Sequence, residues 1–135
     1  GRSGSTAVQH LRFIVFRAAV VSLALLATAA HAEGTVGELE RQCAPMLGPR
    51  DSLTREQKLD AMDCMNYLKG VWDGLTLAGA ETGRRLFCPP ASGVAAMDMA
   101  RIFLAMSVAA PPAVRNAPSS APAVFLLGLQ KRYPC

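Results

Sequence analysis

Four cysteines, Cys43, Cys64, Cys88 and Cys135, are the side chains of this sequence with the widest chemical options. They can form disulfides, hold a metal ion or act as thiolate nucleophiles. Their spacings of 21, 24 and 47 residues include no close pair, whereas zinc ligands usually come in close pairs. No metal site is therefore expected. Both histidines, His10 and His31, fall within the first 32 residues. Residues 33–135 thus lack the group that Ser-His-Asp and Cys-His catalysis and most zinc hydrolases require. Nucleotide-cradling glycine motifs and a G-x-S-x-G elbow are also missing. Carboxylates remain. Asp60 and Asp63 share a helical face, with Asp73 further along, while Glu38 and Glu40 are two apart and cannot face each other on a helix. A glycosidase needs two carboxylates flanking a cleft, but Asp60 lies two residues from Lys58 and reads as part of a solvated face. The expectation is no catalytic residue, no cofactor and a chain that works by binding.

Cysteine chemistry depends on compartment. Residues 1–32 carry Arg2, Arg12 and Arg17 and no acid, and residues 18–30 are thirteen in a row without a charge. Ala30-His31-Ala32 follows. Basic flank, short apolar stretch and A-x-A site together read as a secretory signal peptide cleaved after Ala32. A membrane anchor needs about 20 apolar residues, and Glu33 arrives too early for one. Membrane contact is expected only through this leader, and the protein itself in the periplasm. An even cysteine count in an exported chain of this size implies two disulfides. Three pairings are possible. Cys43 and Cys64 would lie on consecutive helices that a hairpin brings together, which leaves Cys88 with Cys135. Three of the four units of formal positive charge also reside in the leader, because residues 33–135 hold eleven basic and ten acidic side chains. No basic stripe remains for nucleic acid.

Periodicity supplies the elements that would position these groups. Thr35 to Met46 reads as a first short helix, with Val36, Leu39 and Cys43 on one face. Pro45, Gly48 and Pro49 end it. Thr54 and Gln57 fit a capping box. Beyond it Ala61, Cys64, Met65, Leu68, Val71, Trp72, Leu75 and Ala78 recur at helical steps, giving a long amphipathic helix. Gly70 and Gly74 sit inside it at about 1 kcal/mol each relative to Ala, which points to close approach of another backbone or a ring. Arg84 and Arg85 follow, placed to meet the last carbonyls. Phe87-Cys88-Pro89-Pro90 is a rigid connector. A third helix runs from a Ser92 cap to about Ala109. It is apolar nearly all round, so Met97, Met99, Ile102, Phe103 and Met106 offer a homodimer interface if they are exposed. Ala109 to Pro122 reads as an exposed loop. A last helix then starts at Ser119 or Ser120, with Pro122 in its first turn and Val124, Phe125, Leu126, Leu127 and Leu129 as its apolar content. The fold class is all-α: a small four-helix bundle over 33–135, stapled by two disulfides.

Several motifs carry a family resemblance. Cys64-Met-Asn-Tyr67-Leu68-Lys-Gly70-Val-Trp-Asp73-Gly74 resembles a C-x-x-Y-[IL]-x-G-x-x-D-G helix. Phe87-Cys88-Pro89-Pro90 resembles an F-C-x-P connector, and Tyr133-Pro134-Cys135 a terminal [FY]-P-C. With an upstream helix bearing Cys43, this order is similar to the Rap/Tai immunity proteins of type VI secretion, over about Val36 to Cys135. The resemblance implies a periplasmic, all-helical, often dimeric protein. Such a protein neutralises a peptidoglycan-cleaving amidase effector by blocking its cleft. Carried over, Cys64, Tyr67, Gly70, Asp73, Gly74, Cys88 and Cys135 are structural. Tyr67 would pack its ring in the space the glycines leave, and Asp73 would accept a hydrogen bond from the connector or a loop.

The motifs contain no effector contacts, so those are expected on the exposed loop, at Arg115, Asn116, Ser119 and Ser120. The competing reading is a periplasmic envelope factor or holdase-like chaperone on the same scaffold, motivated by the methionine-rich third helix. A carboxylate enzyme using Asp60, Asp63 and Asp73, and a disulfide-held lipid carrier, complete the alternatives.

Overall fold

A computed structural model describes residues 34–135, and the leader read over 1–32, with its cleavage point, lies outside the described residues. Helix α1 spans Val36–Cys43, with Thr35 as its N-cap accepting a hydrogen bond from the Glu38 amide at 3.2 Å. It is shorter than the expected Thr35–Met46. Pro45 has no amide to donate, and the chain tightens into a 3-10 turn over Ala44–Leu47. A second such turn, Arg50–Ser52, leads to Thr54.

Helix α2 covers Arg55–Thr82 and begins with both halves of the capping box, Thr54 to the Gln57 amide and Gln57 back to the Thr54 amide. Gly83 ends it in the left-handed region at φ 65°. Arg84 reaches the helix end through its backbone, its amide donating to the Gly79 carbonyl at 3.1 Å. At 28 residues α2 is more than twice as long as any other helix. Only part of it can be covered. Cys64 and Leu68 are buried and Ala61, Val71, Trp72 and Leu75 half-buried, whereas Met65 and Ala78, expected on the same stripe, are exposed.

Helix α3 is Ala96–Ser107, not a helix from Ser92. Ser92 lies in a turn closed by the Gly93 amide on the Pro90 carbonyl at 2.9 Å. The Ala109–Pro122 stretch is not wholly loop, because Pro112–Arg115 forms a single helical turn, α4. Helix α5, Ala121–Arg132, follows Ser120 with Pro122 in its first turn. Four helices of at least eight residues and no strand among the described residues make the all-α bundle that periodicity indicates.

The core draws Val36, Leu39 and Cys43 from α1, Cys64 and Leu68 from α2, Met99, Ala100 and Phe103 from α3, and Ala121, Val124, Phe125 and Leu129 from α5. Disulfides join Cys43 to Cys64, between α1 and α2, and Cys88 to Cys135, between the connector and the last residue. The connector is also held by Phe87 against Trp72, ring centroids 5.0 Å apart, and by the Cys88 amide on the Tyr133 carbonyl at 2.8 Å. Helix α3 is central. Met99 and Phe103 are buried and Met97, Ile102 and Met106 half-buried. Met99 and Phe103 are thus used inside the bundle, while the half-buried Met97, Ile102 and Met106 are the part of the expected homodimer surface that stays partly open to solvent.

The tightest helix crossing is at Gly128. A Cβ there would lie 2.8 Å from Ile102 Cγ2, 2.9 Å from Met106 Cγ and 3.2 Å from the Ile102 carbonyl oxygen. Gly128→Ala is therefore expected to lose about 1–3 kcal/mol by overpacking against a helix-propensity gain of about 1 kcal/mol. The thermal midpoint should fall by several degrees. A rise would show that α3 and α5 separate freely.

Candidate functional site

The side chains of the Ala109–Pro122 segment divide between holding its shape and facing solvent. Arg115 donates one guanidinium N–H to the Ser107 carbonyl at 2.9 Å and pairs through the other with Glu40 on α1. It ties α4 to both α1 and the end of α3. The Ser120 hydroxyl donates to the Ala117 carbonyl at 2.8 Å. Asn116 and Ser119 are exposed. Ser119 stands at φ 58°, the one non-glycine in the left-handed region among the described residues, a conformation that costs a non-glycine of order 1 kcal/mol.

Ser119 forms one rim of a cleft of about 490 Å³ between α1, α2 and the start of α5. Glu38 and Gln42 line it from α1, Asp63, Asn66 and Tyr67 from α2, with Gly34 at its end. Gly34 has φ +93°, and a Cβ there would sit 3.4 Å from the Tyr67 phenol oxygen. Its carbonyl accepts the Ala121 amide at 3.1 Å. That bond joins the start of α1 to the start of α5. Burial without a charge partner raises the Tyr67 phenol above its ordinary value of 10.0. No Lys or Arg lines the cleft. Among the described residues neither Glu38 nor Asp63 has an ion-pair partner, whereas Glu40, Asp60, Asp73 and Asp98 each have one.

The motif residues of α2 take other places than expected. Tyr67 packs toward Gly34, not over the glycines. At Gly70 and Gly74, no atom of another element lies within 4 Å of the point a Cβ would occupy. Both are exposed, and no other described element packs on them. Asp73 pairs with Lys69 one turn earlier at 3.1 Å and leaves the connector alone. Leu59, Met62 and Leu77, each more than half exposed, lie on the same outward side of α2. The carboxylates considered for catalysis are dispersed among different tasks: Asp60 pairs with Arg41 at 3.0 Å, Asp73 with Lys69, and Asp63 faces the cleft. No group of three or more His, Cys, Asp or Glu among the described residues is placed to hold a metal ion. None of the described helices is long and apolar enough to cross a membrane.

The cleft escaped the sequence reading because its walls come from three separated segments. One local signal was available, a glycine directly before the Thr35 cap. A family model described as Rap1a immunity proteins matches residues 35–135. No curated protein and no solved structure matches the chain.

Two measurements test these placements. Gly70→Ala and Gly74→Ala are each expected to stabilise the isolated protein by up to about 1 kcal/mol in denaturant unfolding, since nothing packs on them. A loss would reveal a contact at these positions. For Tyr67 the folded phenol holds its proton more tightly than the unfolded one. Stability is then intact below about pH 10 and falls as pH rises from there toward the folded-state value. Tyr67→Phe should flatten that decline, as followed by alkaline unfolding.

Proposed function

Because the chain belongs to the Rap1a immunity protein family, we propose that it is a periplasmic immunity protein that binds and inhibits a type VI secreted peptidoglycan amidase, without chemistry of its own. The observation that carries this reading is the extent of the family match. It spans residues 35–135, which include every helix among the described residues and both disulfides. The two disulfides support an oxidising compartment, and the basic, then apolar, leader supports export to it. A bundle stapled by two disulfides presents a rigid surface. Rigid surfaces lose little conformational entropy on binding, which favours tight complexes. In this reading Asn116 and Ser119 contact the effector, while Arg115 and Ser120 hold the segment in shape for it.

The exposed Leu59, Met62 and Leu77 side chains support a second reading, an envelope factor or holdase-like chaperone that binds unfolded clients. Affinity capture distinguishes the two, with the protein purified after export as bait and the envelope fraction of its own cell as prey. One dominant cell-wall amidase, inhibited on addition of the bait, is the expected result. Many unrelated clients, or inhibition of no captured enzyme, would overturn the immunity reading.

A further inference from the structure

We propose that the cleft bounded by Glu38, Asp63, Asn66, Tyr67 and Ser119 is a socket for an arginine side chain of the bound effector. The occupant's identity rests on the effector-binding reading, but the chemistry of the socket does not. Two carboxylates line the cleft from different helices, and no cation of the described residues pairs with either of them. Asp51, Glu56 and Glu81 also have no ion-pair partner among the described residues, but Glu38 and Asp63 line one cleft together, and two unanswered charges at a concave place are left for a partner. Carbonyl and hydroxyl oxygens of Asn66, Tyr67 and Ser119 add neutral acceptors around it. The Tyr67 hydroxyl makes no hydrogen bond to a described residue within the chain. Acceptors spread over several walls suit a planar guanidinium with five donors better than a point-like ammonium. Leu39 and Pro122 supply apolar wall for the aliphatic stem.

The separation of the walls is also set in advance. Asp63 directly precedes Cys64, whose disulfide to Cys43 clamps α2 to α1, and the Gly34–Ala121 hydrogen bond fixes the third wall. A preformed acidic cleft gains from an entering cation without reorganising.

The test is a titration of the protein, purified after export, with N-acetyl-arginine amide, read by amide chemical shifts. Saturable shifts confined to Gly34, Glu38, Asp63, Asn66, Tyr67 and Ser119 are expected, with half-saturation in the millimolar range, as for about 4 kcal/mol of binding. The neutral isostere N-acetyl-citrulline amide should give none. The double variant Glu38→Gln/Asp63→Asn, whose unchanged thermal midpoint shows an intact fold, should weaken the probe about tenfold. Shifts of equal size around Asp51, Glu56 and Glu81, an equal response to citrulline, no saturable shift, or undiminished binding in the double variant would each overturn the socket. None of these outcomes touches the capture experiment. Capture of an amidase with a failed titration removes the socket alone, and a successful titration without capture removes the effector as its source.

Discussion

The covalent link between Cys43 and Cys64 is the constraint on which the other contacts of this domain depend. Helix α1 has eight residues, too few to persist in water without tertiary support. The disulfide holds its last turn against the middle of α2, and both sulfur-bearing residues are fully buried. With the last turn fixed, Val36 and Leu39 enter the core on the same face. Glu40 then lies where Arg115 can reach it, and that pair fastens the Pro112–Arg115 turn. Glu38 becomes a wall of the cleft. Loss of the bridge would release α1, and with it the shape of the surface that α1, α4 and the start of α5 form together. The second disulfide acts at the far end, where Cys135 ties the chain terminus to the connector and keeps α5 from fraying.

Length mismatch explains most of what is left exposed. An α2 of 28 residues is about 42 Å long at 1.5 Å per residue, while α3 and α5 have twelve residues each. The shorter helices cover one side of the middle of α2. Its outward side, including Gly70 and Gly74 and the Asp73 carboxylate paired with Lys69 of the same helix, meets no other element among the described residues. The cost of two uncovered helical glycines therefore finds no return in internal packing. Glycine is indispensable at other places: at Gly128, where two helices cross with no room for a methyl group, and at Gly34, where the backbone turns at φ +93° into α1.

Family membership points to an effector-immunity role, and the local chemistry adds what a binding surface would use. Of the carboxylates considered for acid–base work, Asp60 and Asp73 are engaged with cations and Asp63 lines the cleft together with Glu38. The features that remain are those of a docking surface: a fastened loop, a polar cleft with unanswered negative charge and a rigid frame. Interfaces of this kind derive specificity from electrostatic complementarity more than from area.

The sequence alone determined the helices, because helix formation is a local matter of periodicity, caps and breakers. The Thr54–Gln57 box, the apolar face of Val36, Leu39 and Cys43, and the breakers after the helices, Pro45, Gly83, Pro111 and Pro134, each act within a few residues. The disulfide partners were legible for the same reason, through consecutive helices. Ser92 misled because a good capping residue also suits a turn, and Gly93 at φ +82° took the chain that way. Tertiary structure alone decided which glycines matter, which apolar helix is covered and where Arg115 finds its partner. Gly128 differs from Gly70 only in what lies across from it, and Arg115 meets Glu40 over a separation of 75 residues. The cleft is likewise a product of three segments brought together. Such relations have no local signature, since they depend on the distance and angle between helices, and those are set by packing the whole core at once.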